Sequence, residues 1–305
     1  MKVFVTGGAG FIGSALVKSF LEKNYKVTIF DNFSNSSEEK ISHFLNKGIS
    51  LVKGDVTNYE NLQKALNNYD LVVHLAAQIS VEESIKKPEL THSINAGGTE
   101  NLLRACVANK VNNIIVASSA AVYGQPKELP LTESSPISPI SPYGQSKVEM
   151  EKLLEEFSKN YGLNGISLRF FNIYGKGQTD EYAGVITKFM KNISENKPLI
   201  IFGDGSNTRD FISIVDVVDS LLSAIEKIEG KKGNYYNVAT GNFISIKELA
   251  ELMLSISDKN LDIKYEPPKK GDILHSQTSI NLLQKELGFY PKIKLRDGLK
   301  KLLES

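Results

Sequence analysis

The run Thr6-Gly7-Gly8-Ala9-Gly10-Phe11-Ile12-Gly13 restricts the fold of this chain more than any other stretch. It follows a short β-rich run, Val3–Val5, and leads into a helical pattern, Ile12–Leu21. Gly8, Gly10 and Gly13 fit G-x-G-x-x-G, while Gly7, Gly10 and Gly13 fit the G-x-x-G-x-x-G variant. Glycine permits the tight turn and lets backbone N–H groups approach a pyrophosphate at the positive end of the helix. A Gly-rich turn alone says little, but here Asp31 closes the next strand about 20 residues further on. A carboxylate there accepts hydrogen bonds from adenosine ribose hydroxyls and repels a 2′-phosphate. The expected cofactor is therefore NAD rather than NADP.

The first half continues the alternation. Val27–Phe30, Ser50–Lys53, Leu71–Leu75, Asn113–Ala117 and Ile166–Phe170 read as strands. Helical spacing recurs at Tyr59–Leu66, Thr99–Val107 and Tyr143–Tyr161. Strands alternating with helices predict an α/β fold, a Rossmann-type doubly wound parallel sheet. Unbroken apolar runs such as Ile114–Ala117 suit strands covered on both faces. Beyond Asn172 the order is less regular, with helices near Val185–Met190, Val215–Ile228 and Ile246–Ile256. The expected division is a cofactor-binding domain over 1–170 and a smaller mixed α/β substrate-binding region over 171–305, with some of its segments returning to the first domain.

Composition excludes several classes. Formal net charge is +1 and no Lys/Arg cluster marks a nucleic-acid surface, so no nucleic-acid partner is expected. Cys106 is the sole cysteine, which rules out an intrachain disulfide and a thiolate metal cage; a packed core thiol is expected. His43, His92 and His275 lack metal-ligand spacing, and His74 lies inside an apolar strand where a structural role is expected, so no metal is predicted. No stretch approaches the roughly 20 apolar residues that span a bilayer, and Gly7–Gly10 interrupts the N-terminal apolar run. A cytoplasmic protein with no membrane partner is the expectation.

Tyr143-Gly-Gln-Ser-Lys147 sets a phenol and an ammonium one helical turn apart. Making a tyrosine a base near neutral pH takes about 4 kcal/mol of phenolate stabilisation. A lysine and the positive charge of oxidised nicotinamide could supply it in a partly desolvated site. Ser118-Ser119 ends the Asn113–Ala117 strand, and open α/β sheets bind ligands beyond the carboxyl ends of their strands. On the same long helix Met150, Leu153, Leu154, Phe157 and Tyr161 form an apolar stripe, either core or interface. Glu149, Glu151, Glu155 and Glu156 with Lys152 and Lys159 read as its solvated face.

In these motifs the chain resembles the extended short-chain dehydrogenase/reductase family, and within it the UDP-glucose 4-epimerases. The resemblance rests on Thr6–Gly13, Asp31-Asn32, Gly54-Asp55-Val56, His74–Ala77, Asn95, Ser118–Gly124 and Tyr143–Lys147. It continues through Arg169–Asn172, Phe202–Gly205, Thr208–Phe211 and Gly271-Asp272. It implies Tyr143 as acid/base, Lys147 as its electrostatic partner and ribose ligand, and Ser119 as the second hydroxyl. NAD would be held by Gly7, Gly10, Phe11, Ile12, Gly13, Asp31, Asn32, Asn35, Asp55, Val56, Leu75, Ala76, Ala77, Asn95 and Phe170, besides Tyr143 and Lys147. A UDP-sugar would meet Ser119, Tyr143, Asn172, Val185, Phe202, Arg209, Lys269, Asp272 and Ser276. Asn172 and Arg209 would hold the diphosphate and Asp272 the uridine ribose. The family usually carries arginine where this chain has Lys269, which loses the bidentate fork. Members of the family pair as homodimers through two helices of each subunit.

Dehydratases and decarboxylases of this superfamily place acidic residues just after the catalytic hydroxyl; this chain has Ala120 and Ala121, which transfer no proton. Return of the hydride is then the available exit, and the implied reaction is reversible 4-epimerisation of a UDP-hexose through a transient 4-keto sugar. The alternative is a nucleotide-sugar dehydrogenase that releases NADH. In such epimerases the residue four beyond the Gly-Asp aspartate lies beside the sugar. Here it is Ser276, or His275 if the register slips by one. A small residue there leaves room for an N-acetyl group.

Overall fold

The computed structural model describes residues 1–45, 47–178, 184–268 and 273–304. Lys269 and Asp272 lie outside them. The strands are β1 (Lys2–Thr6), β2 (Lys26–Asp31), β3 (Ser50–Lys53), β4 (Leu71–His74), β5 (Asn113–Ser119), β6 (Asn164–Phe170), β7 (Asn172–Tyr174), β8 (Leu199–Phe202), β9 (Thr208–Arg209), β10 (Phe211–Ser213), β11 (Lys232–Val238), β12 (Ile244–Ser245) and β13 (Ile263–Glu266). The α-helices are α1 (Phe11–Glu22), α2 (Glu39–Leu45), α3 (Tyr59–Ala65), α4 (Val81–Lys86), α5 (Pro88–His92), α6 (Gly98–Ala108), α7 (Pro142–Tyr161), α8 (Val185–Ser194), α9 (Ile214–Glu226), α10 (Ile246–Ser257), α11 (Asn281–Leu287) and α12 (Leu295–Leu303).

Seven strands form one parallel sheet in the order β11-β6-β5-β4-β1-β2-β3. Side chains alternate along each strand, so the sheet feeds two cores. Val3, Val5, Ile29, Val73 and Ile115 point to one face, where α1, α2, α9 and α11 cover them. Phe4, Phe30, Val72, Ile114 and Val116 point to the other, under α3, α6 and α7. Cys106 is packed there, and burial pushes its thiol far above the ordinary range. A third core joins α8, α10 and α12 to β8. β11, from the second half of the chain, completes the sheet beside β6, and α9 packs on α1.

One expectation about a single residue changes here. Glu151 is not on a solvated face: it is buried and ion-paired with Arg169 of β6. The apolar stripe of α7 is divided, with Met150 and Leu154 in the core, Leu153 and Phe157 half-buried, and Tyr161 exposed. Among the described residues no helix is long and apolar enough to cross a membrane, and no group of His, Cys, Asp and Glu could hold a metal ion.

Candidate active site

The turn between β1 and α1 is built so closely that only glycine fits. Gly7 has φ +69°, and a Cβ there would lie 2.7 Å from the Ala76 nitrogen; one on Gly13 would lie 2.2 Å from the Gly7 oxygen. Gly10 caps α1 without a side chain to bond the first-turn N–H groups, which leaves them for an anion. The turn opens on a cavity of ≈ 380 Å³. Gly7, Gly10, Phe11, Ile12, Gly13, Asp31, Asn32, Asn35, Asp55, Val56, Leu75, Ala76 and Ala77 all line it. The donor set fits a dinucleotide: a helix N-terminus for the pyrophosphate, a carboxylate for the ribose, and an apolar slot.

Asp31 Oδ2 accepts the N–H of Ala9 and Oδ1 that of Phe33. Burial raises its carboxyl above the ordinary range, and these two bonds pull it back. Burial also pushes Asp55 upward, but bonds from Thr57 and Asn32 more than offset this and hold it below the ordinary range. Asn32 Nδ2 donates to Asp55 Oδ2 at 2.7 Å, joining two of the expected cofactor residues.

Of the expected cofactor residues, Asn95 and Phe170, like Tyr143 and Lys147, do not line this cavity. Asn95 is fully buried in the single π-helical turn Ser93–Gly97 between α5 and α6. Its amide accepts from Gln78 N–H and donates to the Gln78 carbonyl and to Ser146 Oγ, so it braces the wall rather than forming it. Phe170 ends β6 in register with Ser119 and packs in the core. Sequence reasoning missed Ser34, Lys40, Gln78, Ile79, Lys87 and Thr91, which also line the cavity. Gln78 and Ile79 directly follow Ala77 and were within reach; Lys87 and Thr91 arrive only through the packing of α4 and α5.

The three reacting candidates converge. Ser141 caps α7 by accepting the Gly144 N–H, and the helix begins at Pro142, which sets Tyr143 in its first turn. A Cβ on Gly144 would lie 2.6 Å from the Ala121 oxygen, so glycine lets the helix press on the Ala120–Val122 turn that follows Ser119. There Ser119 hydrogen-bonds the Tyr143 phenol. Lys147 is 3% exposed, and its Nζ donates to the Ala117 carbonyl at 2.8 Å, 5.7 Å from the Tyr143 ring centre. Burial raises the phenol above its ordinary value, with Ser119 opposing. Burial lowers Lys147 to about 7, with the Glu151 carboxylate opposing. The expected depression of the phenol is thus absent from the protein by itself, where burial outweighs the Ser119 hydroxyl.

Strand pairing carries the site outward from Ser119. Phe170 lies beside Ser119, and Asn172 two residues on pairs with Phe211. Asn172 donates through Nδ2 to the Asp210 carbonyl, next to Arg209. Thr208 pairs with His275, and its carbonyl accepts the Ser276 N–H at 3.1 Å. Asn172, Arg209 and Ser276 therefore follow one another along a single edge. Asp210 holds the adjoining loop by accepting from Thr240 and Gly241, and burial raises its carboxyl to about 6 against those bonds. Val185 and Phe202 sit further off, at the start of α8 and the end of β8.

Residues 3–239 match the model of the NAD dependent epimerase/dehydratase family. A UDP-glucose 4-epimerase of Mycolicibacterium smegmatis is 33% identical over 309 residues, covering 100% of this chain and 98% of that one. The structure of a UDP-N-acetylglucosamine 4-epimerase from Methanobrevibacter ruminantium, in complex with UDP-N-acetylmuramic acid, superposes with TM-score 0.94 at 34% identity, covering 99% of this chain and 97% of that one. A UDP-glucose 4-epimerase from Thermotoga maritima with UDP-glucose gives TM-score 0.94 at 34% identity, covering 100% and 98%.

Proposed function

Because this chain belongs to the NAD dependent epimerase/dehydratase family, we propose that it is an NAD-dependent isomerase that inverts C4 of a UDP-hexose. The observation that carries this reading is the meeting of Ser119, Tyr143 and Lys147 at the carboxyl end of β5, followed by Ala120 and Ala121. Bound NAD supplies reversible hydride acceptance at C4, by way of a 4-keto sugar. Tyr143 would take the proton of the 4-hydroxyl as the ketone forms and give it back to the same oxygen as the alcohol is restored. Ser119 bonds the same oxygen and steadies its charge. Lys147 contributes a positive charge beside the phenolate. Ala120 and Ala121 offer no second acid, so elimination of water has no proton donor and the keto sugar is reduced again.

Asn172 and Arg209 bind the diphosphate, Arg209 with a fixed guanidinium fork. Lys269 and Asp272 are assigned to the nucleotide by resemblance alone. Ser276 faces the sugar, and its small side chain admits the N-acetylated pair as well as glucose and galactose. A second copy of the chain packs on α7 along Leu153, Phe157 and Tyr161, making a homodimer, which sedimentation would detect. With substrates of this kind the enzyme works in the cytoplasm.

The test is incubation of purified protein with UDP-glucose, UDP-N-acetylglucosamine, UDP-glucuronic acid and dTDP-glucose, with chromatography of the products. The expected outcome is the 4-epimer of at least one UDP-sugar without accumulation of NADH. Stoichiometric NADH would favour a dehydrogenase instead.

A further inference from the structure

Among the described ion pairs, Glu151–Arg169 has both side chains almost wholly buried, 8% and 2% exposed. Arg169 Nε donates to Glu151 Oε1 at 2.8 Å and Nη2 donates to Oε2 at 2.7 Å, a two-pronged clamp. Ser118 Oγ donates to Oε1 as well. The guanidinium stacks 4.0 Å from the Tyr235 ring centre, and Nη1 donates to the Tyr123 hydroxyl. That hydroxyl donates to Asn237 Oδ1, whose amide reaches Thr278 Oγ1. A buried ion pair is seldom more stable than apolar residues of the same volume. Its position here therefore asks for another explanation.

That position is beside the reaction. Glu151 is one helical turn beyond Lys147 on α7, and Ser118 directly precedes Ser119 on β5. Arg169 joins both from β6. The charged and titratable groups facing Lys147 are few. His74 on β4 is neutral, held at about 3 by burial and by Lys147 itself. Tyr143 lies on the same helix, and Arg169 stands beyond Glu151 and is paired with it. Among the described residues Glu151, four residues on along α7, is the carboxylate acting on Lys147, whose burial works against its charge.

We propose that Glu151, clamped by Arg169 and Ser118, is a positioning residue that keeps Lys147 cationic beneath the phenol and fixes the end of β5 that bears Ser119. The idea rests on the proposed function only for what the Lys147 charge does in turnover. The clamp itself can be tested on the ionisation of Lys147. In NAD-loaded protein carrying isotope-labelled lysine, the resonance lost in Lys147→Met identifies this side chain.

Glu151→Gln keeps the size of the side chain and removes its charge, and the Lys147 midpoint should fall by about one pH unit or more. Glu151→Asp should restore most of the shift. In turnover, the alkaline limb of kcat should move to lower pH in Glu151→Gln, with KM for the UDP-sugar little changed. A purely structural pair would lower melting temperature and leave both midpoints in place, and that result overturns the proposal. If Glu151→Gln does not fold, the double variant Glu151→Gln/Arg169→Gln leaves no unpaired buried charge; it removes a more distant cation with the nearer anion, so the midpoint should fall by less than in the single variant, and a midpoint that stays or rises overturns the proposal. A wild-type protein that epimerises no nucleotide sugar would reject the functional reading while leaving the lysine titration to decide this one.

Discussion

Asp31 Oδ2 accepts the Ala9 N–H at 2.9 Å, tying the carboxylate that ends the second strand to the glycine-rich turn. Its other oxygen holds Phe33, a bulky residue at φ +59°. The same side chain thus shapes the turn and lines the cavity. Asp31→Asn keeps one acceptor for these two N–H groups and removes the charge that repels a 2′-phosphate. NAD affinity should fall about tenfold or more, as expected for loss of a charged hydrogen bond, and NADP affinity should fall less. Calorimetric titration of both cofactors checks this; equal losses would mean the carboxylate serves the turn alone.

Tyr143→Phe removes the hydroxyl proposed to transfer the proton and leaves the ring packing. Turnover should drop by about 10²–10⁴-fold while binding of the UDP-sugar changes little. Steady-state rates and equilibrium binding on the same preparation separate the two. Near-normal turnover would take the acid/base role away from this phenol.

Ser276 is 7% exposed and bonded through its N–H to Thr208, next to Arg209. The wild type should convert UDP-N-acetylglucosamine as well as UDP-glucose. Ser276→Tyr should abolish the first activity and spare the second, because the larger ring occupies the acetamido volume. Rates on the two substrates, with melting temperature as a check on folding, decide the matter. A variant that loses both activities while still folded would place Ser276 elsewhere.

His74 is fully buried between two hydroxyls, Thr6 at 2.7 Å and Thr99 at 3.0 Å. Burial, reinforced by Lys147, lowers it from 6.5 to about 3. Between those values the unfolded chain takes up a proton that the folded chain does not. The His74 contribution to stability is therefore complete above pH 6.5 and declines as pH falls toward 3, by about 1.4 kcal/mol per pH unit. Urea unfolding near neutrality and near pH 5 should show a difference about 2 kcal/mol smaller in His74→Gln than in wild type. Equal differences would mean that His74 protonates in the folded protein.

The parts legible in the sequence are those that local rules dictate. The strand–turn–helix around Gly7–Gly13, the two-faced strands and the run of α7 from Tyr143 to Tyr161 all follow from spacing, although the helix starts one residue earlier, at Pro142. The misreading of Glu151 has a specific cause: its partner lies 18 residues away on another element, and helical periodicity counts every glutamate as solvated. A signal existed in Arg169, a charge inside the apolar run Ile166–Phe170, which must find a buried partner. The place of Asn95 was not legible for a different reason. The π-helical turn shifts the register between α5 and α6 and carries its amide into the wall behind Gln78.

The seventh strand also fixes an order of events during synthesis. Lys232–Val238 covers the edge of Asn164–Phe170, the strand that bears Arg169 and abuts Ser119. Until the chain has grown past Val238, that edge stands bare, with its row of N–H and C=O groups open to any passing strand. The nascent protein can thus assemble its nucleotide cradle early, but it cannot seal the reacting end until more than two thirds of its length has emerged. A chain cut before that point would keep the bare edge and should be prone to clump.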